Sequence, residues 1–218
     1  MILKTQELFD IRHTIASDLL EGCEYPHEAL PKISGFIKER SALLDSSYRE
    51  IGVGVFVAED AKIWDGATIV GPAIIGHGAE VRPGAFIRGN AIIGDGAVIG
   101  NSTEIKNAIV FDGAQLPHYN YVGDSIIGYR AHMGAGAIAS NFRLDKKEII
   151  LRDGEEEIES GLNKIGVFLG DRAEVGCGSV LCPGSIVGKE AMIYPLSRVR
   201  GTIPERTIFD GSTLKERL

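Results

Sequence analysis

Val81-Arg82-Pro83-Gly84-Ala85-Phe86-Ile87-Arg88-Gly89-Asn90-Ala91-Ile92-Ile93-Gly94-Asp95-Gly96-Ala97-Val98-Ile99 is the stretch that decides the fold. Aliphatic side chains stand at Val81, Ile87, Ile93 and Ile99, six residues apart, and alanines stand at Ala85, Ala91 and Ala97 with the same interval. A period of six matches neither a helix, at roughly 3.6, nor a strand, at roughly 2. It describes a short strand and a turn, repeated, which is the pattern of hexapeptide β-helices.

The pattern extends both ways. Val57, Ile63, Ile69 and Ile75 precede the stretch in phase, and Ile105 follows. The small position is held by Ala61, Ala67, Ala73, Ala79 and Thr103. A second run has Leu169, Val175, Leu181, Val187, Ile193 and Val199, with Ala173, Ser179, Ser185, Ala191 and Ser197 in the small position. Between the runs the phase slips by one residue, from Ile105 to Val110 and from Val122 to Ile127. Three hexads make one triangular coil of about 18 residues. Aliphatic and small positions face into the prism, coils lie about 4.8 Å apart, and Gly and Asn turn the corners. The expected class is all-β, a parallel β-helix. General crossover rules favour a right hand; the left hand expected here comes from the likeness of these hexads to known left-handed helices.

Composition agrees. The chain of 218 residues carries 28 glycines and only 7% aromatics, which suits tight turns around small aliphatic cores. The net charge of −7 argues against a nucleic-acid binder. No stretch reaches the roughly 18 apolar residues of a membrane span, and the first residues do not read as a signal peptide. Cys23, Cys177 and Cys182 make an odd count without CxxC spacing, which suits reduced thiols in a cytoplasmic protein.

Residues 1–50 depart from the hexads. Leu8, Ile11, Ile15 and Leu19 have helical spacing before Gly22, and a second helical run covers about 28–44. Two helices capping the solenoid end are expected, because a free repeat end leaves an unpaired edge. The β-helix is expected over 51–204 and a tail over 205–218. From 141 to 163 the hexads vanish and charge rises, which predicts a loop extruded from a corner, with a hairpin around Asp153-Gly154.

Coil counting stacks Val81, Ile99 and Leu116 on one face. Arg82 and His118 then share a ridge two coils apart, roughly 10 Å. Lys106 and Tyr121 lie beside that ridge, with His132 and Asn141 one to two coils further on. A base, several cations and a phenol thus gather near the loop.

At these residues a family resemblance becomes specific. Arg82-Pro83-Gly84-Ala85, Gly100-Asn101-Ser102-Thr103-Glu104-Ile105-Lys106, His118-Tyr119-Asn120-Tyr121-Val122-Gly123-Asp124, Gly134-Ala135-Gly136 and Asn141 occur in order. Over about 50–205 the chain resembles the hexapeptide-repeat acetyltransferase half of the bifunctional bacterial enzymes that make UDP-N-acetylglucosamine. The resemblance implies a CoA-dependent acyltransferase acting on an amino-sugar phosphate or nucleotide sugar, with acetyl-CoA as co-substrate. It implies His118 as general base and Arg82, Lys106 and Tyr121 as sugar-phosphate ligands, with His132 at the place of a sugar-binding Asn. Ala135, Asn141 and Phe142, with Cys177 in place of a Ser, fall at the acetyl-CoA, and a homotrimer is implied.

The chemistry suits those roles. An amine attacking a thioester must shed a proton, and imidazole is suited to take it. Arg grips phosphate with a planar fork and Lys acts as a point charge. The uridylyltransferase half, the loop after Lys147 and the basic C-terminal arm do not match the family, so the acceptor can differ. A noncatalytic module that binds nucleotide sugars or sugar phosphates is the alternative reading. A metalloenzyme with His77, His118 and His132 is disfavoured, since no His pair has the required spacing, and no metal is expected.

Overall fold

Residues 2–217 are described in a computed structural model. The hexads form a left-handed parallel β-helix whose three faces are parallel ladders. The first face runs through Val55–Ala58 and Ala73–Ile75 to Val167–Leu169, Ser185–Val187 and Thr202–Ile203. The second includes Glu80–Val81, Val98–Asn101, Gln115–His118, His132–Met133 and Glu174–Val175. The third includes Thr68–Val70, Ile138–Ala139, Val180–Leu181 and Arg198–Val199. Three longer strands, Phe86–Ile93, Glu104–Val110 and Tyr121–Ile127, bend around the corner from the third face to the first.

The inward positions are the ones the hexads name. Val81, Ile87, Ile93, Ile99 and Ile105 are fully buried in one core with Ala79, Ala85, Ala91 and Ala97. The phase slip also has a visible cause. Arg88 pairs with Lys106, an offset of 18, but Ala91 pairs with Ala108, an offset of 17. The corner that Gly89 and Asn90 turn with two left-handed residues is turned by Asn107 alone, at φ 49°, and one coil later by Asp124 at φ 48°. Asn and Asp are the non-glycine residues that tolerate this region best.

The head differs from its expected shape and place. It holds three short α-helices, Thr5–Leu8, Ser17–Glu21 and Ile33–Ser41, and two 3-10 turns, Ile11–His13 and Pro26–Lys32. It does not close an end; it lies along the flank of the first face. Leu8, Phe9, Leu20, Leu30, Ile33 and Ile37 pack against the outward column Ile74, Ile92, Ile109, Ile126, Phe168 and Ile186. The physical reason is that column. The inward doublet partners Ile75, Ile93, Val110, Ile127, Leu169 and Val187 fill the prism, leaving an apolar stripe outside. Each such side chain is worth roughly 1.5–3 kcal/mol when buried. The ends are instead met by antiparallel strands. Tyr48–Gly52 pairs with Val55–Ala58 on the first face, and Leu214–Glu216 pairs with Thr207–Phe209 on the second, so the expected tail is a hairpin.

The loop after Asn141 contains the hairpin Ile150–Asp153 with Glu156–Glu159. It folds back rather than projecting: Ile149 and Leu151 join the buried flank cluster, and the Ile2 amide donates to Glu156 Oε2 at 3.1 Å. No helix among the described residues is long and apolar enough to cross a membrane.

Candidate functional site

The corner between the second and third faces is a ridge built by main-chain ladders. Arg82 N donates to Ile99 O at 2.8 Å, Gly136 N to His118 O at 3.0 Å, and Gly178 N to Ala135 O at 2.9 Å. Arg82, His118, Ala135 and Cys177 therefore climb one ridge, with Arg82 two coils below His118. Gly100 makes the step possible, because a Cβ there would collide with the Pro117 carbonyl. Gly134 does the same beneath Cys177, whose Sγ would lie 3.0 Å from an added Cβ.

Asn120 locks His118 in place. Its Oδ1 accepts from His118 N at 3.2 Å, and its buried Nδ2 donates to Gly134 O at 2.8 Å and Ala137 O at 3.2 Å. The His118 imidazole is exposed and makes no hydrogen bond or ion pair among the described residues. Arg82 is committed differently: its Nη2 lies 2.9 Å from Glu80 Oε2.

Lys106, Tyr121 and Asn141 meet at the far corner of the third face. Lys106 Nζ is 2.9 Å from Asp124 Oδ2, and Asn141 Nδ2 is 2.5 Å from the same oxygen. Asn107 Nδ2 donates to Asp124 Oδ1 at 2.9 Å. Burial pushes the Tyr121 phenol up from its ordinary pKa, and the charges of Glu104 and Asp124 push the same way. Arg88 sits one coil below Lys106 and pairs with Glu104, Nε to Oε1 at 2.7 Å. Sequence reasoning assigned no role to Asp124, Asn107, Asn120 or Arg88. Part of the signal was available, since Arg88 and Lys106 are 18 apart, one coil, but the next coil is 17 residues, so Asp124 stacks on Asn107 and not on Lys106.

His132 stands apart, on the second face across the ridge. It stacks between Gln115 and Glu174, with Nδ1 3.0 Å from Glu174 Oε2. Phe142 begins the loop, bridges Lys164 and is 41% exposed. Beyond it a groove of about 620 Å³ opens between the loop and the upper third face, lined by Phe142, Leu144, Cys182, Arg198 and Arg200. Arg198 and Arg200 form no ion pair among the described residues, unlike Arg143, which is held by Asp145 at 2.6 Å. Among those residues no cluster of three or more His, Cys, Asp or Glu side chains is placed to hold a metal ion.

Comparison with known proteins adds family context. The model of the GMPPB C-terminal domain matches residues 69–153. The uncharacterized acetyltransferase YaiX of Escherichia coli is 33% identical over 165 residues, 76% of this chain and 70% of that protein. A bifunctional sugar-1-phosphate nucleotidylyltransferase/acetyltransferase of Sulfurisphaera tokodaii is 35% identical over 117 residues, 54% of this chain. The match spans only 28% of that bifunctional relative. Among solved structures, a perosamine N-acetyltransferase mutant of Caulobacter crescentus, in complex with CoA and GDP-perosamine, is 15% identical at a TM-score of 0.35. That likeness covers 74% of this chain and 56% of that one.

Proposed function

The chain belongs to the hexapeptide-repeat acyltransferase family, and from that premise we propose that it moves an acetyl group from acetyl-CoA to the amine of a sugar phosphate or nucleotide-linked sugar. The observation that carries this reading is the His118 imidazole, free of side-chain partners among the described residues, on a ridge whose backbone Asn120 holds rigid. As the amine attacks the thioester carbonyl, His118 takes the proton the nitrogen sheds; collapse of the tetrahedral adduct breaks the C–S bond, and the departing CoA thiolate receives that proton. Fixing the base in position contributes about 10²- to 10⁴-fold. Arg82, Lys106 and Tyr121 bind the sugar side, and His132 serves it from the second face.

The donor runs past Ala135 and Cys177 to Asn141 and Phe142. CoA is anionic at its phosphates, and Arg198 and Arg200, without an ion pair among the described residues, supply positive charge in the groove beside Phe142. A trimer fits the same face: Phe86, Ile138 and Val180 stand outward on it, 38%, 37% and 38% exposed, and a second copy laid there would wall the groove. The free thiols suit a reducing compartment, the cytoplasm.

The pairing of Arg82 with Glu80 and of Lys106 with Asp124 favours a second reading, a module that binds a nucleotide sugar without transfer. Turnover of acetyl-CoA by the purified protein against a panel of amino-sugar phosphates and nucleotide amino sugars separates the two. Release of CoA with any amine supports transfer; binding without release supports the module. Sedimentation at micromolar concentration tests the trimer, and a monomer mass would sink it.

A further inference from the structure

Trp64 is the only tryptophan of the chain, and it stands at the foot of the ridge. Its amide donates to Val81 O at 2.9 Å, which places it one coil below Arg82. Among the described residues, no strand of the second ladder lies below Lys62–Ile63. The indole is 41% exposed, although tryptophan is among the most covered side chains on average. The ring is held in place all the same. Its Nε1 donates to Glu80 Oε1 at 2.8 Å, while Arg82 Nη2 donates to Glu80 Oε2 at 2.9 Å. One carboxylate thus ties the indole to the guanidinium above it. Those donors, Arg82 first, hold the Glu80 carboxyl below its ordinary pKa, so it stays an acceptor for both through the neutral range. Lys62 Nζ lies 3.6 Å from the ring centroid, a cation on one indole face. Neither a second cation nor an aromatic ring is set against the indole among the described residues.

Position gives this arrangement a use. With the reaction centre at His118, the donor extends towards Cys177 and Phe142, on the later coils. The acceptor extends the other way, and its anionic group meets Arg82 two coils down. A sugar 1-phosphate ends there. A nucleotide-linked sugar continues past its diphosphate into a ribose and a base. One coil beyond Arg82 lies Trp64, three coils or roughly 14 Å from His118. A sugar ring, a diphosphate and a ribose separate amine from base by a span of that order. Every base has a π-face and can stack on an indole. The diphosphate meets two cations there, Lys62 and Arg82, against the single Glu80 carboxylate.

We propose that Trp64 is the stacking platform for the base of a nucleotide-linked amino sugar whose diphosphate lies against Arg82. The inference rests on the acceptor side of the reading above and chooses between its two substrate classes. Glu80 is a positioning residue in this arrangement: it sets the plane of the indole and the place of the guanidinium from one carboxylate.

Because the chain has one tryptophan, its emission reports on this spot alone. UDP, GDP and dTDP are titrated into the wild-type protein, with inorganic pyrophosphate and glucosamine 1-phosphate as ligands that carry no base. At least one nucleoside diphosphate should quench the emission saturably, and neither base-free ligand should. In calorimetry Trp64→Ala should weaken that nucleotide about tenfold, within the worth of one stacked base. Trp64→Phe should keep most of the affinity, and pyrophosphate should bind all three proteins alike. In turnover, Trp64→Ala should raise the KM of the nucleotide-linked acceptor by the same factor and leave that of its 1-phosphate counterpart unchanged. Nucleotides that bind without changing the emission would overturn the proposal, as would equal affinity in wild type and Trp64→Ala, or binding of none of the three. If a nucleotide quenches but no amine is acetylated, the transferase reading falls and the stacking site stands. If an amino-sugar 1-phosphate is acetylated while no nucleotide binds, transfer stands and the stacking site falls.

Discussion

The first and third faces are built from the same hexads and differ only in what they turn outward. On the first face the outward column is Ile74, Ile92, Ile109, Ile126, Phe168 and Ile186, all buried under the head and the loop hairpin. On the third face the corresponding column mixes Phe86, Glu104, Tyr121, Ile138, Val180 and Arg198, and none of these is buried. The inward column sets the fold and is nearly interchangeable between faces. The outward column decides whether a face becomes core or working surface.

The largest test of that contrast is a charge placed on each face. Ile109→Asp buries a carboxylate with no partner, and should cost about 4 kcal/mol or more in urea unfolding. Ile138→Asp, on the third face, should change subunit stability by less than about 1 kcal/mol while dissociating the proposed trimer. Equal losses at the two sites would mean that the third face is not a free surface of the subunit. Next comes the loop, which touches both regions. Replacing 145–160 with a short Gly-Ser link removes Ile149 and Leu151 from the flank and one wall from the groove. It should lower stability by about 3 kcal/mol and weaken CoA binding, read by calorimetry; an unchanged affinity would make the loop a flank cover alone.

On the ridge that borders the third face, His118→Ala should reduce kcat by about 10²-fold or more with the acetyl-CoA KM unchanged. Its thermal midpoint should hold, because the side chain is exposed. Near-normal kcat would move the base elsewhere, with His132 the next candidate. Arg82→Ala should act on the acceptor KM instead. The smallest effect belongs to the head. His27 is buried with its Nδ1 unpartnered among the described residues, and burial lowers its pKa below the ordinary value. The unfolded chain then takes up the proton first. Stability is full above about pH 6.5, falls as pH drops through that value, and stops falling once the folded ring is also protonated. Thermal midpoints at pH 7.5 and 5.5 should differ more for wild type than for His27→Leu; parallel losses would place the sensitivity in another group.

The fold was legible because one interval governs most of the chain and a solenoid repeats a single local decision. The place of the head was not, since helical spacing says which side of a helix is apolar and not what lies beneath it. The missing clue was in the hexads. Ile74-Ile75, Ile92-Ile93, Ile109-Val110, Ile126-Ile127, Phe168-Leu169 and Ile186-Val187 are apolar doublets. A strand apolar on both sides is a strand buried on both sides. At the site, His118 and its ridge followed from counting, but Asp124 did not. Its partners sit 18, 17 and 17 residues away at Lys106, Asn107 and Asn141, so they come together only when the one-residue slip at the corner is counted. Ion pairing was equally hidden: nothing in the order of residues says that Glu80 neutralises Arg82 while Arg198 and Arg200 find no ion pair among the described residues.

The strands that turn back at the two termini give the rod a finite valence. A parallel solenoid with bare ends could in principle grow without limit, each copy continuing the ladders of the last. Here Tyr48–Gly52 occupies the first ladder at one terminus and Leu214–Glu216 occupies the second ladder at the other. A second copy meeting either end finds one of three hydrogen-bonding tracks already filled, and filled in the opposite sense. Axial stacking is thereby disfavoured by the chain's own backbone, whereas contacts at the sides of the prism can close a ring by rotation instead of extending a fibre.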